Sequence, residues 1–106
     1  MDEKKLIQFA EVHMFQAEFT SGAEREALLH DAQDALIQAE TLAKGSGAWL
    51  MACVHGRQGN EQLCRRWLER ARDAGRLPER DQIESSAHLK PFAELTWFRE
   101  WIETLG

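Results

Sequence analysis

A pattern of small, large and small side chains occurs twice in this sequence of 106 residues. The first copy is Ala32, Leu36 and Ala39, and the second, 32 residues later, is Cys64, Leu68 and Ala71. Spacings of four and three residues place each set on one face of an α-helix. The small outer side chains allow a neighbouring helix to approach closely. The pattern therefore predicts an all-α fold in which antiparallel helix pairs stack on one another.

Hydrophobic periodicity and glycine punctuation divide the chain into four long helical segments and a short C-terminal one. The predicted segments cover residues 2–20, 23–43, 47–58 and 61–74, and the terminal helix carries an aromatic stripe. They form two helix pairs, residues 2–43 and 47–75, followed by a loop and a capping segment over residues 76–106. A chain of this length has room for one core, so we predict one domain, residues 1–106.

The first helix is apolar on two sides. Leu6 and Ala10 belong to one face, whereas Val12, Phe15 and Phe19 form a second stripe roughly opposite. Such a helix must be covered on both sides, either within the domain or by a partner. The terminal aromatic stripe with Trp97 and Trp101 is a second apolar surface. We predict that the protein is at least partly a homodimer, using one of these two stripes.

The formal net charge is −5 and is unevenly distributed. Residues 1–44 contain four basic and nine acidic side chains, whereas residues 45–106 contain nine of each. This balance disfavours nucleic acid as a partner, because nucleic-acid binders usually carry a net basic face. The arginine-rich face of residues 57–80 supports an alternative hypothesis, a small regulatory protein that binds nucleic acid or an acidic partner. A solvated face of ion pairs explains the same arginines.

The sequence contains no pattern typical of an enzyme, a metal site or a cofactor site. Cys53 and His55 are two residues apart on a helix and point about 200° from each other, so they do not share an ion. We find no neighbour at ligand spacing for His13, His30 or His88. No segment has the roughly 20 consecutive apolar residues of a membrane span. Two cysteines without a disulfide pattern predict a cytoplasmic protein with reduced thiols.

The repeated pattern resembles the tetratricopeptide repeat, whose helix pairs recur about every 34 residues. The resemblance is clearest over residues 48–75, where the third helix adds Ala48, Met51, Ala52 and His55 at complementary spacing. Residues 84–92 with Trp97, Phe98 and Leu105 resemble the closing segment of bacterial proteins with such repeats. The resemblance implies an adaptor or accessory subunit that binds a protein or peptide. It also implies that Trp49, Cys53 and Arg57, at four-residue spacing, line the concave groove that holds the partner.

Overall fold

A computed structural model describes residues 2–105, and within them the protein is all-helical. Six α-helices and one 3₁₀ helix follow one another along the chain. Their bounds are α1 Glu3–Ala17, α2 Gly22–Leu42, α3 Ala48–Gln58, α4 Glu61–Asp73, α5 Arg80–Glu84, the 3₁₀ segment Ala87–Phe92 and α6 Thr96–Glu103. The predicted all-α class is confirmed, and the four long helices lie within a few residues of their expected positions.

The helices pack as two successive pairs. The closest packing joins α1 to α2 and α3 to α4, and α3 also packs against the 3₁₀ segment and, less extensively, against α2. The connection within the second pair is short because Gly59 ends α3 in the left-handed conformation, with φ of 73°. α1 begins at a side-chain cap, in which the backbone N–H of Lys5 donates to Asp2 Oδ1 at 2.9 Å.

The six side chains of the repeated pattern are all completely buried. Ala32, Leu36 and Ala39 occupy the inner face of α2, and Cys64, Leu68 and Ala71 occupy the equivalent face of α4. Ala48 and Ala52 on α3 are buried to the same degree. The sequence spacing thus identified the positions where neighbouring helices touch, and small side chains occupy those positions because helix axes about 8–10 Å apart leave little room.

The core consists of two clusters that meet at α3. The first joins α1, α2 and one side of α3 through residues such as Leu6, Met14 and Leu36. The second joins α3 and α4 to the C-terminal segments and includes Ile83, Leu89, Phe92, Phe98, Trp101 and Ile102. Trp49 and Trp67 are partly buried and contact both clusters. The segments after α4 therefore cover the open side of the second helix pair, as the aromatic stripe predicted.

Two local contacts fix how the segments meet. The buried carboxylate of Glu40 on α2 accepts a hydrogen bond from the Gly47 backbone N–H at 2.9 Å and one from Arg70 Nε on α4 at 2.6 Å. The 3₁₀ segment lies so close to α3 that a Cβ atom on Gly56 would be 2.4 Å from the His88 carbonyl oxygen. α2 is thereby joined to α4, and Gly56 leaves the space that the 3₁₀ segment occupies.

Candidate interaction surface

The predicted groove residues on α3 do not form an open line. Cys53 is 1% exposed and belongs to the core, so its thiol offers no surface to a partner. Trp49 is partly buried between the two core clusters. Arg57 lies at the surface end of α3 and is half-buried. The structure therefore corrects the predicted set: three residues at four-residue spacing on α3 do not line one groove, because α1 and the C-terminal segments flank this helix.

Arg57 is held by two neighbouring segments. Its Nε donates to His88 Nδ1 at 2.8 Å, and its Nη2 forms an ion pair with Glu18, which follows the last turn of α1. Burial and the nearby Arg57 charge lower the pKa of His88, so the neutral ring accepts the hydrogen bond. These contacts join α1, α3 and the 3₁₀ segment, and they occupy the guanidinium that was predicted to line the partner-binding groove.

A depression of about 260 Å³ lies beside this triad, between α1 and the 3₁₀ segment. It is lined by Glu11, Met14, Phe15, Glu18, Leu50 and His88. Sequence reasoning missed Leu50 and His88 as surface residues. Leu50 lies within a continuous apolar run, residues 48–54, and His88 lies in the predicted closing segment, whose position on the helix pairs depends on tertiary packing.

The second apolar stripe of α1 is exposed. Val12, Phe15 and Phe19 are 53%, 62% and 74% exposed, and we refer to these three residues as the α1 outer face. Phe15 and Phe19 contact each other edge to face, with ring centroids 5.1 Å apart. Nothing within residues 2–105 covers this stripe, although the buried face of the same helix packs on α2 as expected.

The α1 outer face continues into a second depression, of about 370 Å³, at the end of the first helix pair. Its walls are Phe15, Gln16, Phe19, Thr20, Glu24 and Leu28. Phe15 also lines the depression beside His88, so it forms the ridge between the two concavities. Aromatic ridges next to shallow pockets are frequent anchors in protein interfaces.

The terminal aromatic stripe, the other predicted surface for self-association, is mostly internal. Trp101 is 7% exposed and packs in the second core cluster. Trp97 is partly buried, its Nε1 donates to Glu61 at 2.6 Å, and the Arg65 guanidinium lies over its ring at 5.3 Å. The stripe therefore stabilises the fold, and the prediction of self-association is left with the α1 outer face.

The arginine-rich face is largely neutralised by acidic neighbours. Six of its seven arginines have a carboxylate oxygen within 4.0 Å; these are Arg57, Arg65, Arg70, Arg72, Arg76 and Arg80. Arg76 pairs with Glu3 of α1, and Arg80 pairs with both Glu84 and Glu103. Ion pairs between exposed side chains are weak, but together they leave little unbalanced positive charge for a phosphate backbone.

One cluster of titratable side chains has the spacing of a metal site. His30, Asp31 and Asp34 place their ligand atoms within 4.8 Å of one another on the exposed face of α2, so the view that His30 lacks a ligand-spaced neighbour is wrong. His30 and Asp34 are four residues apart and already form a contact at 3.6 Å.

Burial raises the pKa of both cysteine thiols, to about 12 for Cys64. Thiols in this state are poor nucleophiles and poor metal ligands.

No family model, curated protein or solved structure matches this chain. None of the helices within residues 2–105 combines the length and the apolar character that crossing a bilayer requires.

Proposed function

We propose that this chain is a protein-interaction module of tetratricopeptide-like architecture, an adaptor or accessory subunit that binds another protein through the α1 outer face. One observation carries the proposal. Val12 and Phe15 on α1, and Phe19 in the turn that follows it, are exposed to solvent on the side opposite the packed face of the helix. Contiguous exposed apolar patches of a few hundred Å² are often binding sites, whereas single exposed apolar side chains are common on any protein surface.

The size of the patch supports this proposal. A phenylalanine side chain carries roughly 150–250 Å² of surface. At the exposures of Phe15, Phe19 and Val12, the α1 outer face therefore presents roughly 300 Å² of apolar area to water. Covering that area corresponds to about 7 kcal/mol of gross hydrophobic stabilisation, at about 25 cal/mol per Å². A partner surface of equal apolar area would raise this to about 15 kcal/mol, which is comparable with the roughly 4–15 kcal/mol that the loss of translational and rotational freedom costs.

The proposal includes the absence of a catalytic role and a cytoplasmic location. Both cysteines are free and buried, which fits a reducing compartment and argues against thiol chemistry. The alternative function, binding of nucleic acid through the arginine-rich face, is less well supported because most of these arginines already pair with carboxylates.

The proposal is tested by charge substitution within the α1 outer face. Phe15→Glu and Phe19→Glu place a carboxylate in the patch, and Ile37→Glu and Leu42→Glu are matched controls at exposed apolar positions on α2. Immobilised wild type and both controls are expected to retain the same proteins from an extract of the native host, and the two phenylalanine variants are expected to lose them. Circular dichroism checks that all four variants are folded. Retention of the same proteins by Phe15→Glu and Phe19→Glu would refute the proposal.

A further inference from the structure

The two ends of the stacked helices differ. At the C-terminal end, α5, the 3₁₀ segment and α6 cover the second helix pair with a continuous apolar cluster. At the N-terminal end, α1 packs closely on α2 and turns the α1 outer face to solvent. Arrays of stacked repeats need a polar surface at both ends to remain soluble as single molecules. This array has a covered end and an apolar end.

We infer that the α1 outer face is covered by a second copy of this chain, so that two apolar ends close each other about a twofold axis. The inference rests on the proposed function and names its partner. A contact between identical faces is self-limiting and produces a closed dimer. Since the opposite end of each copy is already covered by its own C-terminal segments, the two copies have no further apolar end on which a chain of molecules could grow.

The spacing along α1 suits a helix-to-helix contact. Lys5, Gln8, Val12 and Phe15 on α1, and Phe19 in the turn that follows it, come at alternating intervals of three and four residues, and all five are exposed. This is the spacing with which two helices pack side chains into each other's gaps. The apolar members lie at the centre and C-terminal end of the row, and Lys5 and Gln8 extend it toward the N-terminus.

The charges at the two ends of this row favour an antiparallel arrangement. Lys4 and Lys5 lie in the first turns of α1, where Asp2 caps the helix and Glu3 is paired with Arg76, whereas Glu24 lies beside Phe15 and Phe19 at the other end of the row. When Val12 of one copy lies level with Phe15 of the other, the lysines of each copy approach the Glu24 end of its partner. A parallel arrangement would instead place like charges together.

The available area is also appropriate for a dimer. With Phe9, which is exposed at the edge of the row, the apolar area on each copy is roughly 400 Å². A standard interface buries about 800 Å² per partner, of which roughly 56–65% is apolar. The apolar patch is therefore close to the size required, and the stems of the lysines add to it. An affinity in the micromolar range is expected, below that of an obligate dimer.

The mass of the full chain in solution tests this inference. Sedimentation equilibrium is measured from about 1 to about 500 µM, a concentration range that spans a micromolar dissociation constant. The mass is expected to rise over this range from 12.2 kDa toward twice that value. Phe15→Glu and Phe19→Glu are expected to raise the dissociation constant at least 100-fold, and Ile37→Glu and Leu42→Glu are expected to leave it unchanged. Lys5→Glu is expected to weaken the dimer, and adding Glu24→Lys is expected to restore it. A mass of 12.2 kDa over the whole range would overturn the inference.

Photo-crosslinking separates this failure from a failure of the proposed function. Benzoyl-phenylalanine at position 19 is expected to yield a crosslinked homodimer, both with the purified chain and in the native host. A monomeric chain that crosslinks in the host to a different protein would overturn the second-copy inference and leave the proposed function standing. A monomeric chain that crosslinks to nothing would overturn both, and a monomer that sediments with phosphatidylglycerol vesicles would assign the face to a membrane surface instead.

Discussion

The contact of Glu40 with Arg70 and Gly47 provides a quantitative test of how the two helix pairs are joined. The two partners of this ion pair differ in exposure: the Glu40 side chain is 6% exposed and that of Arg70 is 46% exposed. Removing Arg70 leaves a buried carboxylate with a single backbone donor. Removing the Glu40 charge leaves an arginine that water can solvate. The two substitutions are therefore expected to have unequal effects.

Arg70→Met is expected to lower the free energy of unfolding by about 3 kcal/mol. Removing one partner of a buried ion pair leaves the other charge buried without its partner, which costs about 3–5 kcal/mol, and the partial exposure of Arg70 places this contact at the lower end of that range. Glu40→Gln keeps an acceptor for the Gly47 N–H and is expected to cost about 1–1.5 kcal/mol, the value of a typical hydrogen bond. In the double variant Glu40→Met and Arg70→Met, the orphaned Gly47 N–H remains, which costs about 1–3 kcal/mol. The double variant should therefore be less destabilised than the sum of the corresponding single variants.

Urea denaturation followed by circular dichroism and tryptophan fluorescence measures these differences, and a double-mutant cycle isolates the coupling between the two side chains. Glu69→Gln, at an exposed ion pair on α4, is the matched control and should change the free energy of unfolding by less than about 0.5 kcal/mol. If Glu40→Gln proves more damaging than Arg70→Met, or if the coupling is below about 0.5 kcal/mol, the contact does not join the helix pairs as argued.

Three further perturbations are predicted. Replacing a helical glycine with alanine usually stabilises a helix. Gly56→Ala should instead lower the free energy of unfolding by about 1–3 kcal/mol, measured by urea denaturation, because the added methyl group would displace the backbone of His88. A stabilised variant would refute this close approach. Folding lowers the pKa of His88 from its ordinary value of 6.5, so the unfolded chain binds a proton at this site more tightly than the folded protein does. The contribution of His88 to the free energy of unfolding is therefore complete above pH 6.5 and decreases as the pH falls below that value. His88→Asn, which keeps an acceptor for Arg57, should show a weaker loss between pH 6.5 and 5 than wild type, and parallel curves would contradict this. Cys53 and Cys64 should not react with a disulfide reagent at pH 8 in the native protein, because both thiols are buried and burial raises their pKa values. Both should react in denaturant. Rapid labelling of the native protein would be inconsistent with their buried positions.

The sequence predicted the helices and the contact faces between them with good accuracy. The positions Ala32, Leu36 and Ala39 and their counterparts on α4 are local in origin, because the spacing of small side chains on a helix decides which face can approach another helix. The sequence also showed that α1 is apolar on two sides, but it left open whether the domain itself or a partner covers Val12, Phe15 and Phe19.

The predicted groove failed for a reason that lies outside local sequence. Spacing places Trp49, Cys53 and Arg57 on one side of α3, but it does not say what covers that side. The 3₁₀ segment, which follows α4 by more than ten residues, packs against α3 at Gly56 and brings His88 to Arg57. The sequence predicted a capping segment over residues 76–106, but a long-range contact of this kind leaves no periodic pattern that says which face of α3 the segment covers.

The sequence by itself determined that this protein is a stack of helix pairs with an apolar stripe left over on its first helix, because helical periodicity is a property of neighbouring residues. Tertiary structure decided which of the two aromatic stripes remains in contact with water. The terminal stripe is buried because α6 shares the second core cluster with residues of α3, α4 and the 3₁₀ segment, whereas no segment of residues 2–105 covers the α1 outer face.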